Sequence, residues 1–352
     1  MGSNGKVVVI TGATSGIGRA AALQFAERGW HVVLGARRQL ALEQVAAECQ
    51  ALGGSATPVE ADVTCEDDVL GLARVALQHT GAIDVWVNNA GVTAFGSLEG
   101  VPLAEHRRVI ETNVFGSIHG ARAVLPIFRL QRRGVLINVG SVLSQIGQPF
   151  VPSYVISKFA VRGLTEALRA ELANEYDIHV CSLLPYAVDT EHFESGANHT
   201  GRDPHAMAPM LSPESVARAL VQLAYRPSRE RHVPRAAVLG LAAHAMLPRA
   251  VERVIADTLG KWHFGDREEP VGPGNLFAPT RRDGNVRGKR PALVSAARML
   301  AFAIPRLVVV QLDLIIRALR PRRTRPNGSQ SLEVAPGDPT GRTKIIAESG
   351  AG

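Results

Sequence analysis

The sequence predicts an α/β protein, a doubly wound parallel sheet followed by a C-terminal helical extension. Three observations carry this. Short apolar runs alternate with helix-length segments through the first two thirds of the chain, the pattern of strands joined by crossover helices. The first run ends in a glycine-rich turn that opens a helix, a place where α/β sheets hold phosphate groups. Beyond Lys261 the pattern gives way to a Gly-, Pro- and Arg-rich stretch, then to a strongly apolar segment with regularly spaced charges.

Lys6–Ile10 reads as the first strand, and the Ala-rich helix after it ends near Gly29. His31–Leu34 is the second strand, and its helix runs to about Leu52, where Gly53-Gly54 is the stop. Ala56–Glu60, Ile83–Val87, Gly134–Val139 and Ile178–Leu184 are further strands, separated by enough residues for crossover helices. Right-handed crossovers then cover both faces of one parallel sheet. Ser212–Tyr225 and Leu239–Leu259 read as two more helices, with a short strand near His232–Arg235. Residues 1–260 thus form the predicted catalytic domain. Residues 261–291 read as an extended linker, 292–320 as an amphipathic helical segment, and 321–352 as a disordered polar tail.

Composition narrows the function. With 352 residues, 46% hydrophobic and 20% charged, the chain is neither mostly disordered nor fibrous. Its three cysteines, Cys49, Cys65 and Cys181, are far apart and form no CxxC pair. No zinc site, other metal site or disulfide framework is expected, and a reducing, cytoplasmic setting fits best. The net charge of +7 is concentrated: residues 281–326 hold 12 Lys/Arg against 2 Asp/Glu, so the remainder is net −3 and is no nucleic-acid binder. The N-terminus lacks a long apolar core, and no run of 18 uncharged apolar residues occurs, so neither a leader nor a transmembrane helix is predicted.

The turn Thr11-Gly12-Ala13-Thr14-Ser15-Gly16-Ile17-Gly18 joins strand to helix with GxxxGxG spacing. Its glycines let the backbone approach a pyrophosphate, and the helix N-terminus supplies N–H donors. The end of the second strand reads Gly35-Ala36-Arg37-Arg38, with no acid to meet the ribose 2′-hydroxyl of NAD. Arg37 is placed instead to meet a 2′-phosphate, which favours NADP. Tyr154 and Lys158 stand four apart on a helical stretch and share one face, so the cation can stabilise a phenolate. Ser141 ends the fifth strand, Asn88-Asn89-Ala90-Gly91 ends the fourth, and Asn113 lies on the helix after it. All fall at or beside the carboxyl ends of strands, where open α/β sheets bind ligands.

Together TGATSGIG, Asp62-Val63, NNAG at Asn88–Gly91, Asn113, Ser141, Tyr154-Val155-Ile156-Ser157-Lys158, and Pro185 with Asp189-Thr190 resemble the short-chain dehydrogenases/reductases, across roughly residues 5–260. The resemblance implies a Rossmann-like fold and hydride exchange between a nicotinamide cofactor and an alcohol–carbonyl pair. It implies that Tyr154 is the general acid/base, that Lys158 lowers its pKa and holds the nicotinamide ribose, that Ser141 polarises the substrate oxygen, and that Asn113 helps hold a water of the proton relay. It also implies cofactor contacts from Gly12, Thr14, Ser15, Gly16, Ile17, Gly18, Asp62, Val63, Asn88, Ala90, Pro185, Val188 and Thr190. The family often forms homo-oligomers, so one is expected here. One departure is Tyr186, where the family has glycine after the proline. It either narrows the substrate entrance or packs under the next loop. A dinucleotide-binding scaffold without turnover fits poorly with a complete Asn113, Ser141, Tyr154, Lys158 set. An epimerase or dehydratase on the same fold stays open.

In the apolar segment, Arg298, Arg306, Asp313, Arg317 and Arg320 fall within about one third of a helix circumference, with Pro305 expected to kink or split the helix. The basic run Arg320–Arg325 follows directly. This suits a helix lying on an anionic membrane surface through residues 292–325, and a lipophilic small-molecule substrate. It equally suits an apolar face packed on the protein's own body or on a second subunit.

Overall fold

The structure is a computed structural model that describes residues 5–205, 208, 210–279, 284–288, 298, 301, 303–307, 309–312, 333–334 and 345–346. Much of the expected helix over 292–320 and most of the tail over 321–352 lie outside the described residues.

The elements alternate as β1 (Val7–Thr11), α1 (Gly16–Ala26), β2 (His31–Ala36), α2 (Gln39–Ala51), β3 (Ser55–Glu60), α3 (Glu66–Thr80), β4 (Val85–Asn88), β5 (Ala94–Phe95), α4 (Leu103–Ile110), α5 (Gly116–Gln131), β6 (Gly134–Val139), α6 (Pro152–Glu171) and β7 (Ile178–Pro185). There follow α7 (His192–Ser195), β8 (Ala197–Asn198), β9 (Arg202–Pro204), α8 (Pro213–Tyr225), β10 (Glu230–Val233), α9 (Ala237–Met246), α10 (Pro248–Trp262) and β11 (Phe264–Glu268). The main sheet has seven strands in the order β10-β7-β6-β4-β1-β2-β3, all paired in parallel. The chain winds outward from β1 in both directions, so the crevice between β1 and β4 is the topological switch point.

Burial follows the strand alternation. Val8 and Ile10 face one core layer with Ala21, Phe25 and Leu220, while Val7 and Val9 face the other with Leu72, Trp86 and Phe128. A third, smaller core lies above the sheet and joins Val92, Ala94, Val101, Val109 and Ala197 to Leu276 from the far C-terminal side.

Two expectations need correction. The single helix read over Leu239–Leu259 is two helices, α9 and α10, broken at Leu247-Pro248. Leu247 lies outside the helical region (φ −133°, ψ 57°), as the helical conformation is disfavoured before a proline, and Pro248 then starts α10. The supposed linker over 261–291 packs on the body in both of its described parts. Phe264–Glu268 pairs antiparallel with β9, Leu276 is fully buried, and Val286 packs against the first core. Pro305 sits within a helical stretch, Ala303–Leu307, with no break there. Beyond Gln311 a second unit begins, in which Glu333–Val334 pairs antiparallel with Ile345–Ile346.

Candidate active site

The carboxyl ends of β1, β4, β6 and β7 open on one side of the sheet into a cavity of about 780 Å3. The two strands at the switch point are laced together by polar groups. Asn89 Nδ2 donates to the carbonyls of Thr11 and Gly12 at 2.9 and 3.1 Å, and the Asn89 and Ala90 amides donate to Thr11 Oγ1. Gly12 has φ +67°, and a Cβ there would meet the Ala90 Cα at 2.8 Å, so both conformation and space demand glycine.

Ser141 follows β6 and caps a short 3-10 turn, its Oγ accepting the Leu143 amide at 3.1 Å. Tyr154 and Lys158 lie one turn apart on α6, whose first residue, Pro152, suits a helix start. Phe150, just before it, has φ +66° and is held there by the Gly96 amide and by edge-on packing against Phe264. Lys158 is buried; its Nζ donates to the Val139 carbonyl at 2.9 Å and stands 5.4 Å from the Tyr154 ring centroid. Burial pushes the Tyr154 phenol up to about 12, against a hydrogen bond with Ser141 that pulls it down. Burial also lowers Lys158 to about 8. The phenol is therefore a protonated group at neutral pH, beside a mostly cationic ammonium.

Asn113 is buried in a π-helical turn, Glu111–Phe115, that joins α4 to α5. Its amide Nδ2 donates to the Val92 carbonyl and Ser157 Oγ, and its Oδ1 accepts the Val92 amide. Both side-chain N–H donors are thus committed to protein groups. Asn88 is also turned away from the cavity. Its side chain accepts from Trp86 Nε1 and donates to Asn138 and to the Ser117 carbonyl, an amide cluster inside the sheet end. Gly18 lies on α1 beyond the cavity wall, where a Cβ would strike the Gly12 carbonyl at 2.3 Å. Of the predicted residues, Gly12, Thr14, Ser15, Gly16, Ile17, Arg37, Asp62, Val63, Ala90, Ser141, Tyr154, Lys158, Pro185, Val188 and Thr190 line the cavity; Gly18, Asn88 and Asn113 do not.

At the opposite end, past the Gly-rich turn, Arg37 and Arg108 lie near Asp62, and Arg38 donates to Thr14 Oγ1 at 3.1 Å. Arg108 pairs with Asp62 at 2.7 Å, and Asp62 also accepts from Thr64. Burial works to raise Asp62, but the Thr64 hydrogen bonds and Arg108 outweigh it and hold the carboxyl below its usual range. Burial lowers Arg37; Asp62 opposes this, while Arg108 and Arg38 add to it. Arg37 donates to the Leu276 and Asn275 carbonyls at 3.2 and 2.7 Å, and Arg108 also stands 3.8 Å from Glu111.

Sequence reasoning missed several contributors. His192 lies against Tyr154, ring centroids 5.3 Å apart, and burial with the Lys158 charge lowers it to about 4, so it is neutral. Phe193 and Phe95 continue this wall, with centroids 6.0 Å apart. Tyr186, expected either to narrow the substrate entrance or to pack under the next loop, lines the cavity, and its φ is not positive, so glycine's freedom is not needed there. Asn275 and Pro279 from the supposed linker also line it. Arg108 has no sequence signal of its own: it is one of many surface-pattern arginines until the fold brings α4 to Asp62.

The chain belongs to the short-chain dehydrogenase family, whose model matches residues 6–200. That family is one of oxidoreductases. Uncharacterized oxidoreductase YxnA of Bacillus subtilis is 34% identical over 271 residues, 76% of each chain. The 3-oxoacyl-[acyl-carrier-protein] reductase FabG of Thermotoga maritima is 34% identical over 223 residues, 62% of this chain and 90% of that one. Among solved structures, a short-chain dehydrogenase/reductase from Burkholderia phymatum in complex with NAD matches at 27% identity and a TM-score of 0.63, covering 71% of this chain and 96% of that one. An alcohol dehydrogenase from Thermococcus sibiricus, complexed with 5-hydroxy-NADP, matches at 31% identity and a TM-score of 0.57, covering 64% and 95%. The expected Rossmann-like fold is what the structure has.

Proposed function

We infer that this chain is an NADP-dependent oxidoreductase that interconverts a carbonyl and an alcohol on a lipophilic small molecule. The observation that carries the reading is one cavity lined by Ser141, Tyr154 and Lys158 at one end and by Arg37 and Arg38 at the other. The Gly-rich turn between them, with donors at the start of α1, suits a pyrophosphate. Arg37 and Arg38, with Ala36 where an acid would select NAD, support a 2′-phosphate. Thr14, Ser15, Gly16 and Ile17 would hold the phosphates, Asp62 and Val63 the adenine side, and Ala90, Lys158, Pro185, Val188 and Thr190 the nicotinamide side. When bound, the nicotinamide supplies or accepts the hydride.

The remaining chemistry falls to the chain. In the reducing direction Ser141 Oγ and Tyr154 Oη hydrogen-bond the carbonyl oxygen and polarise it. Tyr154 gives up its proton as alkoxide charge develops there, and Lys158 steadies the phenolate that results. Asn113 acts as a brace, holding Val92 and Ser157 beside the site. The wall of Val142, Leu143, Ile146, Val151, Leu241 and Ile255 favours an apolar substrate body. A spectrophotometric assay at 340 nm with NADPH and a panel of apolar ketones tests this. Sustained NADPH oxidation is expected. Binding without turnover, or altered substrate without net cofactor consumption, would overturn it in favour of a scaffold or an epimerase.

The same reading includes peripheral contact with an anionic membrane. In α9 no residue is buried, and Val238, Leu239 and Met246 are exposed next to the cavity mouth. Ile304 and Val309 are exposed as well, and the run Arg320–Arg325 follows in sequence. An apolar face with a basic flank suits a lipid surface; among the described residues no helix is long and apolar enough to cross one. The full chain is expected to co-sediment with anionic vesicles and not with neutral ones. A homo-oligomer that hides this face in solution, with no vesicle binding, would contradict the membrane part alone.

A further inference from the structure

We propose that His192 selects the substrate. Its imidazole receives a hydroxyl carried on the carbon next to the reacting carbonyl or on the one beyond, so the preferred substrate is an apolar α- or β-hydroxyketone. The inference rests on the oxidoreductase reading above and narrows the substrate class of that same site.

His192 opens α7, the short turn in the loop that follows β7 and Thr190. Its amide donates to Thr190 Oγ1 at 3.4 Å, and its carbonyl accepts the Gly196 amide at 3.3 Å. The ring is held between two aromatic neighbours. Tyr154 lies 5.3 Å away, centroid to centroid, at an interplanar angle of 57°, and Phe193 stands edge-on at 6.0 Å and 88°. Phe193 is in turn stacked on the buried Phe95. The half-buried imidazole is therefore set beside the phenol that protonates the substrate, in the wall of the same cavity.

Its polar groups are unused by the protein. Among the described residues neither ring nitrogen of His192 has a hydrogen-bond partner. Other polar groups that line the cavity are committed: Lys158 Nζ donates to the Val139 carbonyl, Ser141 Oγ accepts the Leu143 amide, and Thr258 Oγ1 donates to the Val254 carbonyl at 2.6 Å. Leaving an imidazole unpaired in an apolar wall is unfavourable, and a ligand group that bonds it recovers the loss.

The chemistry of the ring selects the group. Burial and the Lys158 charge lower His192 to about 4, so it is neutral and offers one N–H and one lone pair. A hydroxyl both donates and accepts, so it suits either tautomer. A carboxylate uses only the N–H and favours the protonated ring, which burial and Lys158 oppose. Because His192 adjoins the proton donor, the hydroxyl belongs near the carbonyl and not at the far end of the substrate.

The test is NADPH-dependent reduction of propiophenone, α-hydroxypropiophenone, β-hydroxypropiophenone and phenylglyoxylate by the full chain, with circular dichroism to check that each variant folds. The readout is kcat/KM for each hydroxyketone relative to propiophenone. Intrinsic ketone reactivity is common to all variants and cancels from any change in this ratio. The wild type is expected to favour a hydroxyketone. His192→Phe is expected to lower the ratio about 3- to 10-fold, the loss of one hydrogen bond. His192→Gln, which keeps a donor and an acceptor, is expected to restore most of it. A ratio unchanged in His192→Phe would overturn the assignment. So would a ratio that falls only in Tyr186→Phe, the other cavity side chain with a polar tip that has no partner among the described residues. A preference for phenylglyoxylate over both hydroxyketones would overturn the hydroxyl chemistry, and equal wild-type kcat/KM on the three ketones would overturn the inference without any variant. All these outcomes leave the oxidoreductase reading standing. Reduction of none of the four compounds would overturn that reading and the inference together.

Discussion

The sheet half of the molecule and the stretch after α10 are built by different means. In the sheet half, β1, β2, β4 and β6 are runs of consecutive buried residues, and the helices between them cover the two faces with repeated apolar positions. Many side chains share the work, so the pattern is redundant. After α10 the described chain pairs β11 with β9, and beyond β11 it is held by single residues and backbone carbonyls: the buried Leu276, Val286 against the first core, and the oxygens of Asn275, Leu276, Gly284 and Asn285. Both halves contribute to one cavity. The lesson is that a segment with no periodicity can still be structural when its partners are guanidinium groups and amides left open at a helix start.

Tyr154→Phe is the largest break available in the sheet half. It removes the proton donor and keeps the ring in its seat, so turnover is expected to fall about 10²–10⁴-fold with NADPH affinity nearly unchanged. Steady-state kinetics with fluorescence titration checks both. Leu276→Ala probes the other half through stability. It opens a cavity in a small core and is expected to cost about 2–5 kcal/mol if residues 272–279 and the sheet unfold together. Chemical denaturation measures this; a separate early transition would show that this segment unfolds by itself.

Arg37→Ala reaches both halves, because Arg37 donates to the Asn275 and Leu276 carbonyls and, in this account, meets the 2′-phosphate. It is expected to weaken NADPH by about 1.5–3 kcal/mol and NADH by much less. Equal effects in calorimetric titration would remove Arg37 from the phosphate site.

The contrast extends to acid stability. His31, His192 and His263 are each lowered to about 4, in each case chiefly by burial, and so are neutral in the fold. The unfolded chain takes up protons near the ordinary histidine value of about 6.5, before the folded chain does. Stability is therefore full above that value and is lost as pH falls towards 4. The melting temperature should decline steadily across this window. His192→Asn should flatten part of the decline.

The contrast also marks what could be read in advance. The strands β1 to β7 of the main sheet, the turn at Gly12–Gly18 and the Ser141, Tyr154, Lys158 set were legible because local periodicity and fixed spacing specify them. The break at Pro248 was legible in principle, since a proline in a helical run raises that expectation. Asn88 and Asn113 could not be resolved. Which way an amide points depends on neighbours distant in sequence, here Asn138, Ser117 and Ser157. Likewise Arg108 acquires meaning only when α4 meets Asp62.

The most direct test of the central claim follows the hydrogen itself. NADPH deuterated at the transferring position of the nicotinamide ring is incubated with the enzyme and an apolar ketone, and the product alcohol is analysed by mass spectrometry and NMR. The account predicts one deuterium on the former carbonyl carbon, and loss of this product in Tyr154→Phe. An alcohol without deuterium, or a rearranged or dehydrated product with the deuterium still on the cofactor, would contradict it.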